Sequence, residues 1–327
     1  MTVSSSLKTR GFAHLETMRP YTLLWCGLVS LVGATLTYGD LPPLRLSLLV
    51  FFIPILGWIA GLYLADYCDR DLDKIQKPHR PLPSGRITPN QALIVGALFA
   101  LSGLLLTLLL TTMNIVFVFI ASALVYSYAK LTKARGLLGN LNRGALTLTT
   151  FLFGVVSIGT SLSSLPLSLW ILALVFFFHD TNSNIIGAIR DVHGDTKGGY
   201  KTTPVLYGIN NALIISLFLS VLYLVLTAVV TTIYPVFLYP WFFFALFTLG
   251  VLVLCAMYEL LFEKKETLTR KHALLAHELF VAERIIFASA FIAGTASSPT
   301  SALVIFIVCL VLTLLFQHRL RERYELT

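Results

Sequence analysis

The sequence predicts an all-α, multi-span transmembrane helical bundle. Three observations carry this prediction: the composition, the length of the apolar runs and the distribution of basic residues. Of the 327 residues, 57% are hydrophobic and only 12% are charged, and the mean hydropathy is +0.83. A soluble domain usually has about a quarter of its residues charged. The chain is therefore expected to lie in a lipid bilayer.

Apolar runs long enough to cross a hydrocarbon core, about 20 residues each, recur from Tyr21 almost to the C-terminus and are separated by short polar loops. We predict helices over residues 21–39, 46–66, 91–111, 113–130, 144–162, 165–187, 211–233, 237–260, 275–295 and 300–317. The ninth segment has four titratable residues in its first half, His277, Glu278, Glu283 and Arg284, and is also compatible with a tilted or partly horizontal helix.

The basic residues test this count, because Lys and Arg beside membrane spans collect on the cytoplasmic side. All 24 basic residues except Arg45 and Arg284 lie on the side that carries the loop after helix 2 and both termini. Ten spans with cytoplasmic termini fit this distribution, whereas nine would place the C-terminal tail outside. The net charge of +8 is therefore a topology signal, and no interleaving of basic and aromatic residues supports a nucleic-acid partner.

This topology divides the chain into three parts. Residues 1–20 form a cytoplasmic N-terminal lead-in, residues 21–317 the membrane-embedded domain and residues 318–327 a cytoplasmic tail. The protein is expected to be an integral, multi-pass membrane protein surrounded by membrane lipids.

The cytoplasmic end of helix 2 has four aspartates in eight residues, in the stretch ADYCDRDLDKIQKPHRPLPSGRIT (65–88). Asp66, Asp69 and Asp73 are spaced i, i+3 and i+7, which places them on one face of a continuing helix, away from Asp71. Three carboxylates this close repel one another unless cations share the site, and oxygen ligands favour Mg²⁺ or Ca²⁺. Taken alone, the stretch is equally compatible with a solvated acidic cap answered by neighbouring basic residues.

Helix 6 ends with a second acidic set, in NIIGAIRDVHGDTKGGYKTTP, where Asp191 and Asp195 are spaced i, i+4 and are followed by Lys197 and Lys201. The chain has only 16 acidic residues, so two same-face sets at equivalent helix ends are not explained by solvation. Two facing carboxylate sets with basic neighbours predict a site for two Mg²⁺ ions and a diphosphate, in which Lys and Arg neutralise the remaining phosphate charge.

Together these motifs resemble the UbiA superfamily of intramembrane prenyltransferases. The first family motif, NDxxDxxxD followed by RPLPSG, is present here as ADYCDRDLD and RPLPSGRIT. The second, DxxxD before a K/R-x-T-x-P segment, is present as DVHGD and KTTPVLYG, and a YxxxK motif spans Tyr126 to Lys130. The resemblance extends over roughly residues 12 to 230.

The resemblance implies a bundle with a nine-helix core around a central cavity that opens laterally to the bilayer. It implies that Asp66, Asp69 and Asp73 hold one Mg²⁺ and that Asp191 and Asp195 hold the other, with the diphosphate of a polyprenyl donor between the ions. It makes four basic residues candidates for binding the diphosphate oxygens: Arg80, Lys130, Lys197 and Lys201. Tyr126 is expected to line the pocket.

The reaction implied by the resemblance begins with ionisation of the allylic C–O bond to a carbocation, which a lipophilic or aromatic acceptor attacks. Helix 6 places HDTNSN (179–184) at membrane depth, where ionisable groups commonly mark functional sites. His179, Asp180 and Asn184 are therefore pocket or acceptor candidates. The alternative for the first two is a buried His–Asp pair that serves packing.

The sequence departs from the family pattern in both acidic motifs. The usual Asn of the first motif is Ala65, and an Asp frequent before the second motif is Ala188. These losses keep open a second function, a membrane terpene cyclase that ionises the same donor and closes the cation on its own chain. A cation-coupled transporter is the least favoured function, because the motif acids lie mainly at helix ends and no inverted repeat is evident.

Overall fold

The computed structural model describes residues 3–234 and 237–325, and this part of the chain is helical apart from its turns and one isolated bridge. The main helices are α1 (Val3–Met18), α2 (Leu23–Tyr38), α3 (Leu44–Gln76), α4 (Pro89–Thr107), α5 (Thr112–Ser127), α6 (Leu137–Val156), α7 (Leu167–Lys197), α8 (Thr203–Ile233), α9 (Pro240–Glu263), α10 (Arg270–Thr295) and α11 (Pro299–Phe316). The prediction of an all-α bundle is confirmed, and the ten predicted helices correspond to α2–α11.

Eight helical segments of the described chain are long and apolar enough to cross a membrane; α6 and α10 are not among them. Both of these helices are largely enclosed by protein. α10 is buried almost continuously from Phe280 to Thr295. A helix that faces other helices can carry polar residues whose partners are protein groups, which a lipid-facing helix cannot. α10 runs as one continuous helix from Arg270 to Thr295.

Helices α2 and α6 cross in close contact, and two glycines allow this. A Cβ atom on Gly154 would lie 1.8 Å from the Ser30 carbonyl oxygen, and one on Gly33 would lie 2.2 Å from that of Phe151. Small residues let membrane helices approach backbone to backbone. The crossing fixes α6, which contributes Asn140 and Arg143 to the site described below.

Both acidic helices extend well beyond the predicted ends of their spans. α3 continues to Gln76 and α7 to Lys197, so each acidic set lies on regular helix. After α5 the chain makes one π-helical turn, Tyr128–Thr132, in which the Lys133 amide donates to the Tyr128 carbonyl at 3.1 Å. The backbone hydrogen bond of a π turn spans five residues, whereas that of an α-helix spans four. The π turn therefore changes which side chains of this segment face inward.

Residues 317–325, here called the C-terminal segment, fold back against the end of the bundle that carries the acidic sets. A π turn, Gln317–Arg321, leads into a short helix, Glu322–Glu325. The Arg321 side chain is fully buried, and its guanidinium lies 5.3 Å from the centre of the Tyr21 ring. Leu320, Arg321, Tyr324 and Glu325 are buried, so the segment predicted as a tail packs against the domain through these side chains.

Candidate active site

A polar cavity of about 220 Å³ lies where the ends of α3 and α7 meet. Its walls carry five carboxylates: Asp69, Asp73, Asp191, Asp195 and Glu325. Five of its cationic side chains are Lys77, Arg80, Lys133, Arg143 and Arg190. The two predicted acidic sets thus share one cavity, and Asp66 is buried behind its wall at 3% exposure.

The three aspartates of α3 share a buried face, whereas Asp71 points outward with 73% of its side chain exposed. Each buried carboxylate has its own cation from a different segment. Arg19 pairs with Asp66, Lys133 pairs with Asp69, and Arg80 donates to Asp73 at 2.9 Å. The helical spacing predicted this common face. Arg19 and Lys133 come from distant parts of the chain, whereas Arg80 lies in the loop directly after α3.

Two hydroxyl groups complete the α3 set. The Tyr324 hydroxyl donates to Asp66 at 2.7 Å, and the Tyr200 hydroxyl donates to Asp69 at 3.1 Å. Burial, and then the Asp69 charge beside it, raise the pKa of Tyr200 to about 12. Tyr200 therefore remains a hydrogen-bond donor at neutral pH.

The aspartates of α7 are bound differently. Asp191 is contacted by Arg190 at 2.6 Å, Lys77 at 3.2 Å and Arg270 at 3.6 Å. Asp195 accepts from the Thr202 hydroxyl at 3.1 Å, and the described residues place no cation in ion-pair contact with it. A carboxylate without a cationic partner at the wall of a cavity is the one most accessible to an incoming cation.

Two predicted side chains, Tyr126 near the end of α5 and Lys130 in the π turn, lie outside the cavity. Tyr126 is 56% exposed, and Lys130 is also exposed. Tyr128 and Lys133, five residues apart, line the cavity instead. Burial lowers the pKa of Lys133, but the adjacent Asp69 outweighs burial and holds the pKa above its usual range, so the side chain is cationic.

Lys197 and Lys201 are exposed and do not line the cavity. They follow the last turn of α7, where the chain leaves the bundle end, and the Lys201 backbone carbonyl accepts from the Gly136 amide at 2.6 Å. Of the four predicted diphosphate ligands, Arg80 is the one that lines the cavity. Lys77, Lys133 and Arg190 provide further positive charge, and the sequence did not predict any of these three as a diphosphate ligand.

His179 and Asp180 are fully buried and have different partners. His179 contacts Glu283 at 2.9 Å, with its ring stacked on Trp25 and Phe287. Asp180 lies 3.2 Å from Arg143 and 3.6 Å from Arg284. The two residues therefore do not form a pair with each other, and neither lines the cavity.

Asp180 acts on the cavity through its two arginines, since both Arg143 and Arg284 line the polar cavity. The Arg143 guanidinium lies 4.2 Å from the centre of the Trp58 ring, a cation–π contact that helps to fix it. Asn184, the third candidate on α7, does line the cavity; it accepts from Asn140 at 2.8 Å and donates to Tyr128 at 3.2 Å.

An apolar cavity of about 370 Å³ adjoins the polar one. The two cavities share Trp58, Gly61, Val125, Arg143 and Leu146. Small residues of α3 and α4 widen the apolar cavity, including Gly57, Ala60, Gly96, Ala100 and Gly103. Its one charged lining residue within the described chain is Arg143, at the junction. The pair of cavities can hold a molecule with a charged head and a long hydrocarbon tail.

The donor set of the polar cavity fits a hard divalent cation, because carboxylate oxygens dominate it. No three acidic, His or Cys side chains converge into a ready-made metal cluster among the described residues. Lys and Arg hold most of the carboxylate oxygens instead. A metal ion would have to take these oxygens from the cations, which would then be free to bind an anion. Ala65 and Ala188, the two departures from the motif pattern, both line this cavity.

Comparisons with known proteins point to one family. The model of the UbiA prenyltransferase family matches residues 23–283. The digeranylgeranylglyceryl phosphate synthase of Thermococcus sibiricus is 35% identical over 207 residues, which cover 63% of this chain and 72% of that protein.

Solved structures give the same result. A digeranylgeranylglyceryl phosphate synthase superposes with a TM-score of 0.65 and 27% identity, covering 90% of this chain and all of its own. A UbiA homologue from Archaeoglobus fulgidus, bound to DMAPP and Mg²⁺, superposes with a TM-score of 0.58 and 18% identity, covering 94% and 99% of the two chains. The second comparison supports the fold.

Proposed function

The chain belongs to the UbiA prenyltransferase family, and we propose that it transfers a polyprenyl group from an allylic polyprenyl diphosphate to a lipophilic acceptor and releases diphosphate. One observation carries this proposal: a cavity rich in carboxylates and cations opens into an apolar cavity, and Arg143 lies at their junction. The apolar cavity would hold the prenyl chain, and the polar cavity would hold the diphosphate.

We propose that Mg²⁺ binds with the donor, as it does with DMAPP in the Archaeoglobus fulgidus homologue. Asp66, Asp69 and Asp73 would hold one ion, and Asp191 and Asp195 a second. Bound Mg²⁺ would draw electron density from the departing diphosphate. Lys77, Arg80 and Lys133 would exchange their carboxylate partners for diphosphate oxygens, which accept charge-assisted hydrogen bonds from each of them.

The chemical step would take place at the junction of the cavities. The allylic C1–O bond breaks with its electron pair going to the diphosphate, and the cations of the polar cavity stabilise this negative charge. The acceptor then attacks C1, and its proton passes to the released diphosphate. Trp58, Val125 and Leu146 line the junction and would keep water from the allylic cation.

Asp180 would be a positioning residue. It holds Arg143 and Arg284 from behind the cavity wall, and its full burial keeps it away from the substrate. Removing its charge would leave two arginines without a buried anionic partner, which is strongly destabilising in low-dielectric surroundings.

We propose a phosphorylated glyceryl lipid as the acceptor. Two relatives compared above are named for the synthesis of digeranylgeranylglyceryl phosphate, and a second phosphate would also suit a cavity with so many cations. An aromatic acceptor would require fewer cations. The cyclase alternative is not favoured, because the matched relatives are transferases. We further propose that the polar cavity faces the cytoplasm, which the basic loops support.

The test uses membranes that contain the full chain, with labelled geranyl, farnesyl or geranylgeranyl diphosphate, Mg²⁺, and glyceryl phosphate lipids or an aromatic lipid fraction as acceptor. We expect a prenylated lipid phosphate that forms only when the phosphorylated acceptor is present. A terpene hydrocarbon or alcohol formed without acceptor would indicate the cyclase. The absence of any diphosphate release, in membranes where the folded protein is present, would contradict both enzymatic functions.

A further inference from the structure

The C-terminal segment places a buried carboxylate among four cations. Glu325 is only 3% exposed, and its oxygens lie 3.0 Å from Lys77, 3.2 Å from Arg80, 3.5 Å from Arg190 and 3.7 Å from Arg270. These four residues, here called the four-cation cluster, come from the loop after α3, from α7 and from the start of α10.

The four-cation cluster has more positive charge than its carboxylate partners balance. Besides Glu325, its partners are Asp73, bound by Arg80, and Asp191, bound by the other three, so four cations face three carboxylates. Burial raises the pKa of Glu325, but Arg190, Lys77 and Arg80 outweigh burial and hold this pKa well below the usual range.

Three buried nitrogens of the cluster have no hydrogen-bond acceptor among the described residues: Nε of Arg80, and Nε and Nη2 of Arg270. Arg80 is buried with 6% exposure and lines the polar cavity. A phosphate group offers three strong acceptor oxygens and up to about two negative charges at neutral pH. Arginine forks match the geometry of a phosphate as they match that of a carboxylate, and the phosphate has more acceptor oxygens to share among several cations.

We propose that the four-cation cluster is a binding site for the phosphate group of a substrate, and that Glu325 occupies this site until the phosphate displaces it. The inference rests on the proposed function for the source of the phosphate, which is either the donor diphosphate or a phosphate monoester on the acceptor. Either would neutralise the charge that Glu325 leaves unbalanced.

Displacement of Glu325 would also affect the first acidic set. The neighbouring Tyr324 donates to Asp66, and its ring lies against the guanidinium groups of Arg19 at 4.6 Å and Arg80 at 4.2 Å. A phosphate that draws Arg80 away would remove two contacts of the C-terminal segment. These are the ion pair of Arg80 with Glu325 and its contact with the Tyr324 ring. Phosphate binding would therefore loosen the Tyr324 hydroxyl from Asp66, whose ion pair with Arg19 remains.

The first test follows the C-terminal segment by hydrogen exchange in the detergent-solubilised full chain. Inorganic diphosphate and glycerol 1-phosphate are added separately, and sodium chloride at equal ionic strength is the control. We expect faster exchange of the 317–325 amides with at least one of the phosphate probes and no change with chloride. A response to diphosphate alone assigns the donor, and a response to glycerol 1-phosphate assigns the acceptor. Unchanged protection with both probes, or equal release by chloride, would overturn the proposal.

The second test measures binding of the same two probes to Glu325→Gln. If Glu325 holds the site for about nine-tenths of the time, removing its charge should tighten binding of the phosphate probe about tenfold. Glu263→Gln, an exposed glutamate paired with Lys264, is the matched control and should bind as the unaltered protein does. Adding Arg270→Gln to Glu325→Gln should weaken binding again. Equal or weaker binding by Glu325→Gln would show that the carboxylate only stabilises the fold.

These tests remain informative if prenyl transfer is not observed. Neither requires turnover, so a failure of the proposed reaction leaves phosphate binding and segment release measurable. Conversely, an active transferase whose C-terminal segment stays protected on phosphate binding would refute this inference alone.

Discussion

The two acidic helix ends face one cavity but are stabilised in different ways. At the end of α3, each of Asp66, Asp69 and Asp73 is buried with a cation of its own. At the end of α7, Asp191 is contacted by several cations, whereas Asp195 has a hydroxyl partner. The α3 set therefore depends on cations supplied by other segments. The α7 set, in contrast, already has one carboxylate, Asp195, that is accessible to a metal ion.

The largest expected effect on activity comes from removing one carboxylate from either acidic set. Asp69→Ala and Asp191→Ala should each lower kcat/KM at least about 100-fold, because each removes a charge that positions the diphosphate and its cations. Asp71→Ala is the control, since this exposed residue pairs with Lys74 at the surface. Steady-state prenyl transfer in membranes measures all three. Equal losses would mean that the buried face of α3 is not the functional face.

The second-largest effect on activity is expected from removing Lys133, the cation that pairs with Asp69. Lys133→Met should lower kcat/KM about 30-fold, since a charge-assisted hydrogen bond contributes about 2 kcal/mol. Lys130→Met should have little effect, because Lys130 is exposed. The same transfer assay compares the two variants. A larger loss from Lys130→Met would show that the π turn after α5 does not persist in the working enzyme.

A smaller effect is expected on the α7 side. Thr202→Val removes the hydroxyl that binds Asp195, so the Mg²⁺ concentration for half-maximal activity should rise about tenfold, as is typical when a residue supporting a metal ligand is lost. Thr196→Val is the matched control; its hydroxyl is exposed and bonds to the Val192 carbonyl. A Mg²⁺ titration of the activity tests this. No shift would argue that Asp195 does not bind the metal.

The smallest effect is expected from restoring the amide of the first motif. Ala65→Asn adds one carbonyl oxygen to the wall of the polar cavity, and we expect it to lower the Mg²⁺ requirement by about fivefold at most, the effect of about one hydrogen bond. Ala188→Asn makes the matched change on α7. The same Mg²⁺ titration compares them, and an increased requirement in Ala65→Asn would mean that the cavity has no room for the amide.

The sequence was sufficient to predict the helices and the faces of the two acidic sets. The apolar runs and the i, i+3, i+7 spacing are local properties, so they survive into the fold unchanged. The partners of the carboxylates could not be predicted in this way. Lys133 replaces Lys130 because a π turn shifts the helical face, and a π turn has no reliable signal in a single sequence.

The partners of the buried charged residues on α7 also could not be predicted without the fold. His179 and Asp180 are adjacent in sequence, but neighbouring residues on a helix point in different directions. One side chain meets Glu283 and the other meets Arg143 and Arg284, on helices that lie far away in the chain. Two adjacent titratable residues therefore have separate partners.

The sequence by itself determined that this protein is a helical membrane protein of the UbiA type with two acidic helix ends, because hydropathy and helical periodicity are encoded by neighbouring residues. Only the tertiary structure decided which cations meet which carboxylates, that Arg143 lies between the polar and apolar cavities, and that Glu325 reaches the four-cation cluster. Those contacts join residues up to 248 positions apart, as between Lys77 and Glu325. Their formation depends on how the helices pack and on where a short C-terminal segment comes to rest.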